Sequence, residues 1–170
     1  MIATAHVIIS GAVGLAVGTV TENPVVALAA GAATHLICDG IPHLDGPLNP
    51  KYEHNHPDRV VWTRGLLTFA LIDSIVAFLL TLFIWFKYFD LQFFAPYAWA
   101  ALGGYLPDFI DLVPLWRERI QELPGFKQFH KFHVAIHDSW RFRFPMRTYW
   151  PLGIATQFIT ALPCLWYIVK

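Results

Sequence analysis

Residues 65–86 read GLLTFALIDSIVAFLLTLFIWF, an almost wholly apolar run whose only charged residue is Asp73. A helix needs about 20 such residues to cross the hydrocarbon of a bilayer, so this stretch predicts a transmembrane span. Working outward, residues 94–116 and 148–169 predict two more. Residues 3–20 and 24–41 are shorter and rich in Gly and Ala, which suits helices packed closely against others. Only Thr21, Glu22 and Asn23 separate them, which predicts a tight helical hairpin. The expected fold class is all-α: one domain, residues 1–170, forming a polytopic membrane helix bundle of about five spans. Composition agrees, because 56% hydrophobic and 16% aromatic residues exceed what a soluble domain of this size carries.

Lys+Arg and Asp+Glu balance at 12 each, so net charge selects no partner. Their distribution is more informative. If loops alternate sides, Lys51, Arg59, Arg64, Arg117, Arg119, Lys127, Lys131, Arg141, Arg143 and Arg147 share one side, leaving Lys87 and Lys170 on the other. The positive-inside rule then puts the N-terminus in the cytoplasm and the C-terminus across the cytoplasmic (inner) membrane. No Lys or Arg precedes the first apolar stretch and His6 lies within it, so that stretch is expected to remain as a span and not to be a cleaved signal. Cys38 and Cys164 fall near opposite faces in this topology, which predicts no disulfide between them. Cys38 reads as a small buried apolar residue or as a metal ligand.

Ionisable groups gather at one end of the spans. His6 opens the first, His35 and Asp39 close the second, and Asp108 and Asp111 close the fourth. Such groups are costly near hydrocarbon unless they face a protein interior or a metal. His35 and Asp39, four apart on a helix, project from one face and can grip one cation; Asp108 and Asp111, three apart, offer oxygen ligands likewise. Residues 126–140, FKQFHKFHVAIHDSW, predict an amphipathic cytoplasmic helix on which His130, His133 and His137 form one stripe. Asp138 lies beside it as an orienting partner or general base. His43 and Asp45, in IPHLDGP, lie within reach and could serve a second ion. His54, His56 and Asp58 make a weaker case, as polar loop residues. Asp73 is either functional or hydrogen-bonded to a neighbouring helix.

An internal echo reinforces this grouping. PVVALAAGAATHLICDGIP, from Pro24, aligns without a gap on PYAWAALGGYLPDFIDLVP, from Pro96, pairing Gly31 with Gly103, Asp39 with Asp111 and Pro42 with Pro114. Two related helices presenting Asp at equivalent depth would bracket a central site.

The run from Arg141 to Arg147, RFRFPMR, interleaves cations and aromatics as an interfacial anchor on anionic lipid, and would draw a phosphate-bearing substrate. No nucleic acid is expected. No phosphate-cradling glycine loop, GxSxG elbow or Cys-x-x-Cys pair occurs.

The segments HLICDGIPHLD and GYLPDFID, together with Ala5-His6 just inside the first helix, resemble the inner-membrane metal-dependent hydrolase family, small multi-span proteins of largely unassigned substrate. His-x-x-x-Asp on a helix, followed by a further His, is also similar to the zinc-dependent phospholipase C and single-strand nuclease superfamily, whose helices carry a multi-zinc phosphoesterase site. The resemblance implies that His6, His35, Asp39, Asp108 and Asp111 are ligands. It departs at Thr63 to Thr68, TRGLLT, where the family commonly has a His-Arg-Gly-x-x-His-like stretch. The stripe of His130, His133 and His137 is a candidate substitute.

The expected function is a metal-dependent membrane hydrolase acting on phosphoesters, with lipid-linked ones among the candidates, at the cytoplasmic face. Its expected metal ligands are His6, His35, Asp39, His43, Asp108, Asp111, His130, His133 and His137, with Asp45, Asp108 or Asp138 as catalytic carboxylate. Mixed imidazole and carboxylate donors favour zinc, with manganese or iron as alternatives. Membrane lipids and a phosphate-bearing small molecule or lipid are the expected partners. Rival readings are a metal-ion or proton transporter, an inactive scaffold with a structural metal, and a haem protein.

Overall fold

The computed structural model describes the main chain of residues 2–44, 52–53, 56–88, 90–113, 115–141 and 146–170. Among these are seven helices: α1 (Ala3–Thr21), α2 (Pro24–Asp39), α3 (Arg64–Tyr88), α4 (Leu91–Leu112), α5 (Arg117–Gln121), α6 (Phe126–Arg141) and α7 (Met146–Val169). The all-α expectation holds, with one short strand pair as a local exception. Within the loop that carries His56 and Asp58, β1 (Tyr52–Glu53) pairs antiparallel with β2 (His56–Val60).

The first two helices form the expected hairpin. Glu22 takes the left-handed conformation (φ 51°) and its N–H bonds to Gly18 O, while the Asn23 side chain accepts from Val25 N and Val26 N to cap α2 ahead of Pro24. At its other end α1 has no cap of its own, since Ile2 precedes it. Asp73 of α3 fills that role. Its carboxylate accepts from Ala3 N at 2.5 Å, from Thr4 N at 3.3 Å and from Thr4 Oγ1 at 2.6 Å. The isolated charge of the most apolar span therefore satisfies the orphan donors of a neighbouring helix.

α1, α2 and α4 pack so closely that backbones touch. A Cβ on Gly31 would sit 2.0 Å from Ala100 O, and one on Gly103 would sit 2.1 Å from Leu28 O. The two contacts are reciprocal under the alignment seen in the sequence, because Leu28 corresponds to Ala100 as Gly31 does to Gly103. α2 and α4 thus run parallel as a pseudo-symmetric pair. α1 is wedged antiparallel against both: a Cβ on Gly104 would meet Ser10 Oγ at 2.2 Å, and Ser10 Oγ donates to Gly31 O.

Among the described residues, three helices are long and apolar enough to cross a membrane: Ala3–Thr21, Arg64–Tyr88 and Tyr149–Val169. α2 is a shorter apolar helix. α4 begins at Leu91, earlier than expected, and ends at Leu112, because Val113 precedes Pro114 and is extended (φ −68°, ψ 119°). α7 changes direction at Tyr149, whose φ and ψ (−107°, 16°) are not helical.

Candidate metal centre

The last turn of α2 presents His35 and Asp39 to the interior, and the first turn of α1 brings His6 against them. His6 Nε2 is 3.1 Å from Asp39 Oδ1, and its ring stacks on His35 at 3.9 Å between centroids. α6 lays its stripe over the same point, so that His133 Nε2 and His137 Nε2 lie 3.0 and 3.1 Å from Asp39 Oδ2. His43 Nε2, just beyond α2, is 4.0 Å from Asp39 Oδ1. Asp39 is fully buried and is the hub of the whole arrangement.

Among the described residues, two sets of donor atoms could hold a metal ion: His35, Asp39, Asp108 and His133, and Asp39, His43 and His137. Asp39 belongs to both. In the first set, His35 Nε2 lies 3.3 Å from His133 Nε2, 2.9 Å from Asp39 Oδ2 and 3.4 Å from Asp108 Oδ1. His133 Nε2 lies 3.0 Å from Asp39 Oδ2 and 3.5 Å from Asp108 Oδ1. These are five edges of a four-atom cage, and a tetrahedron with zinc-type bonds of about 2.0–2.1 Å has edges of about 3.3–3.4 Å. Asp108 Oδ1 and His6 Nδ1 are buried without a hydrogen bond, which is costly unless a cation engages them.

The outward nitrogens explain why the rings face inward. His35 Nδ1 bonds to Gly104 O at 2.7 Å, His43 Nδ1 to Ile41 O at 2.6 Å, and His133 Nδ1 to Asp111 Oδ2 at 2.9 Å. Each carbonyl or carboxylate holds the proton on Nδ1 and leaves Nε2 to point at the cage, an arrangement typical of metal-bound histidine. Burial disfavours a charged His133, but Asp111 and Asp39 outweigh it and push its pKa from 6.5 up to about 9. A proton and a cation are alternative occupants of the space beside its Nε2.

Asp111 and His130 stand outside both donor sets. Asp111 Oδ1 accepts from His130 Nδ1 at 2.8 Å and from Gln121 Nε2 at 3.1 Å, so this carboxylate orients imidazoles. The two Asp residues of the internal echo thus grip opposite nitrogens of one ring, His133. Asp45, His54 and residues 142–145 lie outside the described residues, as do the side chains of His56, Asp58, Asp138 and the whole Arg141 to Arg147 run. Cys38 is buried and free but joins neither donor set. It shares an apolar cluster with Ala5 and Ile9, against which Cys164 also packs, so the expected placement of the cysteines near opposite faces is corrected.

Sequence reasoning missed Gly104, whose carbonyl orients His35. It also missed Thr156 and Gln157 of α7, which donate to Pro42 O and Leu44 O and so fix the loop bearing His43. Gln121 was missed as well. None carries a signal beyond its type. Comparison with known proteins finds no match: no family model, no curated protein and no solved structure aligns with this chain.

Proposed function

We propose that this protein is a metal-dependent hydrolase of the cytoplasmic membrane, acting on phosphoesters from the basic, N-terminal side of the bundle. The observation that carries the reading is the pair of donor sets sharing Asp39. A bridging carboxylate between two mixed imidazole and carboxylate sites suits two cations, zinc above all. Bound cations would supply an activated water and neutralise charge building on the phosphoryl oxygens. His35, Asp39 and His133 would hold the first position with Asp108, and His43 and His137 the second. His6 closes the floor of the site.

Asp108 has 26% of its side chain exposed, against 1% or less for Asp39, His35 and His133. It is the carboxylate of the cage that an incoming substrate meets. Hydrolysis adds the water oxygen to phosphorus and breaks the ester P–O bond; the water proton passes to a carboxylate and on to the departing alkoxide. A proton or ion path would use Asp73, but that carboxylate is engaged in capping α1, which favours hydrolase over transporter.

The test is elemental analysis of the purified protein together with phosphatase and phosphodiesterase assays. Stoichiometric zinc with turnover that chelation abolishes supports the reading. Protein that retains no metal after purification in zinc-supplemented buffer overturns it.

A further inference from the structure

The cluster does not sit level with the ends of all the helices. Asp73 bonds to the first residues of α1, yet α3 continues beyond it, toward its own start, for nine residues to Arg64. At 1.5 Å per residue that overhang is roughly 13 Å. α7 does the same. Its Thr156 and Gln157 engage Pro42 and Leu44 beside His43, while the helix reaches back to Trp150 before its kink at Tyr149.

Both overhangs are dressed for lipid. On α3, Leu67, Phe69, Leu71 and Ile72 are exposed, and on α7 so are Trp150 and Leu152. Trp62 and Arg64 stand just before this apolar stretch, and Trp85 and Lys87 stand at its far end. Aromatic and basic residues mark the two water boundaries of a span, which puts the boundary near Arg64 and the cluster well below it. α6 lays His133 and His137 on Asp39 and leaves Lys127, Gln128 and Lys131 exposed.

We infer that the His/Asp cluster lies beneath the lipid headgroups, within the hydrocarbon, and that its substrate is a phosphate ester carried on a membrane-embedded hydrocarbon chain. The second half rests on the hydrolase reading; the first does not. A soluble ester would have to leave water and enter the hydrocarbon to reach Asp108. A lipid phosphate already resides at that boundary and needs only to sink by about a headgroup's depth between walls formed by α3 and α7.

Depth is tested with spin labels at Leu67, Leu71 and Ile75 of the full-length protein, each placed singly in a Cys38→Ala, Cys164→Ala background and reconstituted in nanodiscs of phosphatidylcholine and phosphatidylglycerol. Ile75, level with the cluster, should read about 10 Å or more below the phosphates by oxygen against nickel-chelate accessibility, and Leu67 close to the interface. An Ile75 label that reads in the headgroup layer or in water overturns the inference. Zinc-loaded protein is then given phosphatidate in the same nanodiscs and, separately, glycerol phosphate. The lipid ester should be cleaved at least about tenfold faster, a difference of about 1.4 kcal/mol in the barrier. Equal rates overturn the substrate class. Cleavage of neither ester removes the hydrolase reading and the substrate class with it, leaving depth to be decided by the labels.

Discussion

α3 and α4 are close in length, 25 and 22 residues, and neighbours in sequence, yet they are built on opposite principles. α3 buries only Ala77 and Ile84 fully and turns large side chains such as Phe78, Leu79 and Phe83 outward. α4 places Gly103 and Gly104 against the backbones and side chains of α2 and α1, and ends in Asp108 and Asp111. Hydropathy identifies the first kind of helix best. Chemistry resides in the second, where bulk has been exchanged for close approach and for ligand atoms.

The contrast is broken most severely at the hub. Asp39→Ala removes the carboxylate common to both donor sets and leaves five buried imidazoles, His6, His35, His43, His133 and His137, around the gap; metal retention should fall by more than about a hundredfold, read by equilibrium dialysis with zinc. Next comes packing. Gly103→Val drives a side chain into Leu28 O and should cost on the order of 1–3 kcal/mol in a detergent melt. Leu79→Ala on the lipid side of α3 should cost far less, and equal losses would erase the distinction between the helices.

Asp111→Asn keeps the shape but weakens the hold on His130 and His133, so zinc affinity should drop about tenfold to a hundredfold with little change in fold. Asp73→Ala should do the reverse, destabilising by roughly 1 kcal/mol through the lost cap while metal content stays constant. Metal loss in that variant would return Asp73 to the functional candidates.

The smallest effect is in pH dependence. His133 is raised from 6.5 to about 9, so its contribution to the stability of metal-free protein is complete below pH 6.5 and is lost as pH rises through 9. Zinc uptake displaces that proton and should strengthen across the same window, with proton release measurable by calorimetry in buffers of different ionisation enthalpy.

Much of this was legible beforehand because it rests on periodicity. His35 and Asp39 share a face by helical spacing, the stripe on α6 follows from intervals of three and four, and the alignment of Pro24 with Pro96 anticipated the reciprocal Gly31 and Gly103 contacts. What stayed hidden depends on relative height, which no local pattern encodes. α7 starts high above the cluster, and so Cys164 descends to the level of Ala5 and Ile9. For Asp73 the sequence offered bonding to a neighbouring helix as one of two readings, and the overhang of α3 selects it by making the carboxylate a cap for α1. The division of labour between Asp39 and Asp111 was also invisible, since the echo makes them equivalent and only the position of α6 makes one a ligand candidate and the other a support.

The hub and its lid are far apart along the chain: His133 meets His35 across a separation of 98 residues. During synthesis the α1–α2 hairpin therefore emerges carrying His6, His35 and Asp39 long before α6 exists to complete either donor set. A cation that needs either complete donor set could consequently be held only once α6 has been made.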